Sequence, residues 1–151
     1  YAHQKGLAVV LTGGSNITEL NFNSEVCSAC LLSPVNLTGE IELSLLPYLL
    51  MKVDMLLAPD TGSIHIARAV GTPVIGLYAI ANPRLTGPYR ADEFSVDKFD
   101  LALEQFSNSK NKSFYSRVHH PSAMSLIQAG EVISRVDAII NRLSLLPVDK
   151  K

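Results

Sequence analysis

Four short apolar runs, Leu7–Leu11, Pro34–Leu37, Val53–Ala58 and Val74–Tyr78, constrain the fold of this chain more than any other feature. They show little of the apolar/polar alternation of a half-exposed strand, so they suit strands buried on both faces in a parallel sheet. Turn-forming residues close them, as in Thr12-Gly13-Gly14, Thr38-Gly39 and Pro59-Asp60-Thr61-Gly62. Helical segments fall between and after them. Asn16–Cys30 has weak helical character, and Glu40–Lys52 carries Leu43, Leu46, Leu49 and Leu50 at helical spacing with Pro47 as an internal kink. Ser63–Val70 reads as a helix stopped by Gly71-Thr72-Pro73. A last helix over Gln128–Leu145 aligns Val132, Val136, Ile139, Ile140 and Leu143 in one stripe. The expected class is α/β, a mainly parallel sheet with helices on both faces. Ala79–Glu93 is expected to be a long loop and Ser107–Ser113 a polar surface loop.

Charge and cysteine content exclude several function classes. A formal net charge of −1 over 151 residues gives no general attraction to nucleic acid or to an anionic membrane. The most apolar stretch, Leu43–Pro59, is interrupted by Lys52 and Asp54 and is too short to cross a bilayer. The opening residues Tyr1–Gly6 carry no targeting signature. Cys27 and Cys30 form a C-x-x-C pair, but no second such pair or H-x-x-x-H follows to complete a metal shell. The pair is expected to be incidental, with no metal and no cofactor, and a reducing cytoplasm is the default compartment.

In open parallel sheets ligands bind beyond the carboxyl ends of the strands. The strongest signal there is Ala58–Ala69, where a strand leads through small residues into a helix. Backbone N–H groups at Thr61, Gly62 and Ser63 would point at the strand edge, where the helix dipole favours an anion of phosphate size. Gly62 permits close approach, the hydroxyls of Thr61 and Ser63 add hydrogen bonds, and His65 lies one turn on. A plainer reading stands beside this one: Asp60 is a good helix N-cap, and His65 an ordinary exposed helix residue. Gly13-Gly14 taken alone signals only a turn. It matches neither G-x-G-x-x-G nor G-x-x-x-x-G-K-[ST], which disfavours nicotinamide and P-loop chemistry.

Asp60–Tyr78 resembles the signature D-[ST]-G-x-x-H-[IL]-A-x-A-x-G-x-P-x-[IV]-x-L-[FY] of glycosyltransferase family 9, the lipopolysaccharide heptosyltransferases. Asn82–Tyr89 resembles the family's N-P-x-x-T-G-P-Y loop, and Arg117–Ile127 its approach to the last helix. The likeness runs over nearly the whole chain. The family's more usual Y-G-P-T turn is replaced by Tyr78-Ala79-Ile80-Ala81.

The resemblance implies the C-terminal, Rossmann-like half of a GT-B fold, so that residues 1–151 read as one nucleotide-sugar-binding domain. It gives the pyrophosphate and sugar of ADP-heptose to Asp60, Thr61 and Gly62, with Ser63 and His65 in support. Gly13 and Gly14 lead to Glu19, which takes the ribose hydroxyls, while Thr38 and Gly39 border the adenine. It further implies an inverting displacement onto the lipopolysaccharide inner core at the cytoplasmic face, with the catalytic base and any membrane contact in an N-terminal half that this chain lacks. Leu7–Leu11 resembles the second strand of the donor-binding half. Without a first strand, which is central in such sheets, unpaired edges would invite association with another copy. Two alternatives remain: a GT-B transferase for another nucleotide sugar, and a non-catalytic α/β nucleotide-binding module.

Overall fold

A computed structural model describes residues 1–87, 89, 92–107 and 115–144. The chain falls into two compact units, residues 1–46 and 47–151.

In the first unit, β1 (Val10–Leu11) pairs in parallel with β2 (Val35–Asn36), and α1 (Ile17–Ala29) connects them. The helix starts where its cap residues dictate: the Asn16 side chain accepts from the Glu19 N–H at 3.0 Å. The run Leu7–Leu11 forms a strand only at its last two residues, and Val9 and Val10 are exposed rather than buried. β1 is paired on one side only, within a two-stranded sheet. α1 buries no side chain, and Phe22 stays 63% exposed.

α2 (Leu46–Leu50) starts at the last residue of the first unit and is much shorter than the helix expected over residues 40–52. Pro47 lies in its first turn, where a missing N–H costs nothing, so proline starts this helix instead of kinking it. Leu43 is left outside, 74% exposed.

Three parallel strands follow in the order β3 (Leu56–Pro59), β4 (Val74–Tyr78) and β5 (Val96–Asp97). Leu56 pairs with Val74 and Pro59 with Leu77, while Tyr78 pairs with Asp97. α3 (Gly62–Ala69) makes the crossover from β3 to β4, and Gly71, at φ 86°, turns the chain out of it. Thr72, next along, is buried with its hydroxyl donated to the Leu50 carbonyl at 2.6 Å.

The segment expected as an unbroken loop holds α4 (Pro83–Thr86), capped by the Asn82 side chain, and a short 3-10 turn over Asp92–Phe94. α5 (Phe99–Phe106) then adds Phe99, Ala102 and Leu103 to a core with Ala79, Val118 and Ala123. α6 (Ala129–Ser144) agrees with the expected last helix to within a residue, and its Ile139 is buried. Of the polar loop expected over residues 107–113, all but Ser107 lies outside the described residues.

Candidate functional site

The carboxyl end of β3 delivers the chain into Asp60 and Thr61, and α3 begins at Gly62. Thr61 is the N-cap residue, with extended backbone at φ −138° and ψ 165°, but its side chain caps nothing. Its hydroxyl donates to the Pro59 carbonyl at 3.3 Å and lies 2.8 Å from Ser63 Oγ. The first internal bond runs from the Ile64 N–H to the Thr61 carbonyl at 3.2 Å. Among the described residues, the N–H groups of Gly62 and Ser63 therefore have no acceptor.

The reading of Asp60 as N-cap is thereby corrected. Its carboxylate, only 18% exposed, turns instead to Arg117 Nη2 at 3.4 Å. A Cβ placed on Gly62 would meet nothing within 4 Å, so the approach to these donors is open.

His65 stands exposed one turn along α3. With Arg68, Ala69, Gly71 and Tyr89 it lines an open hollow of about 480 Å³ along the helix flank, where Arg68 Nε donates to the Tyr89 carbonyl at 2.9 Å. Behind the turn, Tyr78 is buried and its hydroxyl lacks a partner among the described residues. Burial first, and then the charges of Asp60 and Asp97, push its pKa up to about 12. At pH 7 it is a neutral phenol.

The remaining sequence-predicted residues gather in the first unit, beyond the carboxyl ends of β1 and β2. Gly14 N–H donates to Glu19 Oε2 at 2.6 Å, Asn16 Nδ2 donates to Glu19 Oε1, and Gly39 N–H donates to the Gly13 carbonyl at 3.0 Å. Glu19 thus braces its own turn, although a carboxylate retains further acceptor capacity. Gly39 sits at φ 79°, where other residues are strained. Thr38 is buried; its hydroxyl donates to Asn36 Oδ1 at 2.6 Å and accepts from Asn23 Nδ2 at 2.6 Å.

Two contributors had no assigned role in the sequence reading, Asn23 and Arg117. Only Arg117 carried a signal, by standing in the run that leads to the last helix. Cys27 is half-buried and Cys30 exposed, both as free thiols. Among the described residues no cluster of His, Cys, Asp and Glu could hold a metal, and no helix is long and apolar enough to cross a membrane.

Residues 1–115 match the model of glycosyltransferase family 9 (heptosyltransferase). Over 137 residues the chain is 34% identical to the lipopolysaccharide core heptosyltransferase OpsX of Haemophilus influenzae, a span that covers 89% of this chain and 40% of that protein. Over 141 residues it is 26% identical to lipopolysaccharide heptosyltransferase 3 of Escherichia coli, covering 91% and 39%. Two solved structures share the fold. The family 9 glycosyltransferase of Veillonella parvula aligns with a TM-score of 0.69 at 21% identity, over 92% of this chain and 38% of that one. E. coli ADP-heptose lps heptosyltransferase II aligns with a TM-score of 0.69 at 18% identity, over 94% and 39%. The chain spans about 40% of the length of the curated relatives it matches.

Proposed function

The chain belongs to glycosyltransferase family 9, the heptosyltransferases, and from that premise we propose that it is the donor-binding half of an inverting transferase moving heptose from ADP-heptose to the lipopolysaccharide inner core. The observation that carries this reading is the uncapped start of α3: two unfilled backbone donors, an open Gly62 and the positive end of a helix at the carboxyl edge of a parallel strand. Such a place suits the diphosphate of a nucleotide sugar.

In this reading the N–H groups of Gly62 and Ser63 and the hydroxyl of Thr61 hold the pyrophosphate, Asp60 takes a sugar hydroxyl, and His65 supports the donor from the next turn. Glu19 takes the ribose and Thr38-Gly39 the adenine edge, behind the Gly13-Gly14 turn. As the acceptor hydroxyl attacks the anomeric carbon, the carbon–oxygen bond to ADP breaks, and the helix start stabilises the charge gathering on the departing diphosphate. The carboxylate that deprotonates the acceptor belongs to an N-terminal half, working at the cytoplasmic face. The coverage of about 40% of the relatives supports this division.

Gly62→Val tests the site. Its side chain enters open space, so folding is expected to survive while the diphosphate loses close approach. Calorimetry should find ADP affinity lost; unchanged affinity would sink the assignment. Residues 1–151 alone should transfer no heptose, because holding donor and acceptor together is worth ~7–11 kcal/mol of barrier. Heptosylated product in mass spectra would refute that.

A further inference from the structure

The proposed diphosphate site has a carboxylate at its threshold. Asp60 immediately precedes the N-cap of α3, and an unrestrained carboxylate there is drawn to the positive helix end and to unfilled N–H donors. Seated on Gly62 and Ser63, it would occupy the donors that a phosphate needs and would repel the incoming anion. In the structure it is not seated there: Arg117, 57 residues away in sequence, draws it aside at 3.4 Å.

The placement of Arg117 is fixed by its neighbours. Val118 is buried and donates its N–H to the Ile80 carbonyl at 2.9 Å, just beyond β4. Two residues further on, His120 stacks on Phe106 of α5 with ring centroids 4.1 Å apart. The guanidinium hangs from an anchored backbone, 55% exposed, with Asp60 as its acidic partner.

We infer that Arg117 is a positioning residue: it holds the Asp60 carboxylate off the start of α3 and offsets its charge, leaving the N–H donors open to the diphosphate of a nucleotide. This rests on the reading of that turn as a diphosphate site. ADP titrated calorimetrically into the full chain is the probe. Arg117→Gln should weaken binding roughly three- to tenfold, the scale of one charge at a helix end, and Arg117→Lys should retain most of it. The deciding variant is the double one. With Asp60→Asn in place there is no carboxylate to hold aside, so Asp60→Asn/Arg117→Gln should match Asp60→Asn within about twofold. If the double variant instead loses as much again as Arg117→Gln does alone, Arg117 touches the phosphate itself and the positioning role is overturned. Unchanged affinity in Arg117→Gln overturns it too. No ADP binding by the parent chain would overturn the diphosphate reading and this inference together, an outcome distinct from a failure in the variants alone.

Discussion

Residues 1–46 and residues 47–144 both carry parallel strands joined by a helix, yet every apolar residue buried among those described lies in the second set. There, Val74, Ile75 and Tyr78 of β4 and Ile64 and Ala67 of α3 are buried, and Phe99, Ala102 and Leu103 belong to a further cluster. In the first set the sole buried residue is Thr38, a hydrogen-bonding group. The difference teaches that one set of candidate ligand residues rests on packing and the other on polar contacts. The turn at Asp60 leaves a strand whose Ala58 is in the core, whereas Glu19, Thr38 and Gly39 are held by hydrogen bonds to Gly14, to asparagines and to Gly13.

The largest effect expected to test this contrast is a pair of phenylalanine truncations. Phe99→Ala should destabilise by ~3–5 kcal/mol, while Phe22→Ala, on the bare face of α1, should cost under ~0.5 kcal/mol. Equal costs in thermal unfolding would abolish the distinction. Two glycines sharpen it. A Cβ on Gly76 would lie 2.5 Å from Tyr78 Cε2, and one on Gly13 would lie 2.6 Å from Glu19 Oε2. The near-equal distances hide different neighbours, a locked aromatic ring against the end of an exposed side chain. Gly76→Ala should therefore cost ~1–3 kcal/mol, and Gly13→Ala less than ~1 kcal/mol, read from the same melting curves.

Two of the buried hydroxyls make a third pair. Thr38→Val removes the hydroxyl that links Asn23 to Asn36 and should cost ~1–2 kcal/mol, whereas Tyr78→Phe deletes a hydroxyl with no partner among the described residues and should be neutral or stabilising by up to ~1 kcal/mol. A large loss in Tyr78→Phe would mean that the phenol has an essential partner.

The smallest expected effect asks whether surface charge adds to the packed unit. A hydrogen bond from Lys98, at 2.6 Å, is the main cause holding the Glu131 carboxyl below its ordinary range. Its folded pKa is lowered, so its contribution is present above the ordinary carboxylate range, near pH 4, and fades as acid carries the pH down through the lowered value. Glu131→Gln should flatten that slight acid dependence of the unfolding midpoint, and an unaltered dependence would discount the pair.

What the sequence disclosed follows the same divide. β4, α3 and α6 were legible because an uninterrupted apolar run and an apolar stripe correspond to real burial. α5 carried a stripe too, in Phe99, Ala102, Leu103 and Phe106, but it follows a stretch dominated by turn residues. Leucine spacing overstated the helix before Lys52, since periodicity reports which residues could share a face and not whether anything covers it. At the candidate site the local pattern put free N–H groups at Gly62 and Ser63, and among the described residues these have no acceptor. It gave no sign of the Asp60 ion pair, because the arginine that forms it is remote in sequence.

That residues 1–46 bury Thr38 and nothing else has one more consequence, for what instruments will register. Exposing apolar surface is what gives unfolding its heat-capacity increment and its denaturant slope, and residues 1–46 have little such surface to expose. The heat-capacity step and denaturant slope of a calorimetric or urea transition on this chain will therefore be set mainly by residues 47–144, with the Thr38 network adding little to either. Amide hydrogen exchange, which counts protected N–H groups such as those of Leu37 and Gly39 whatever their hydration, is the measurement that reads the other half.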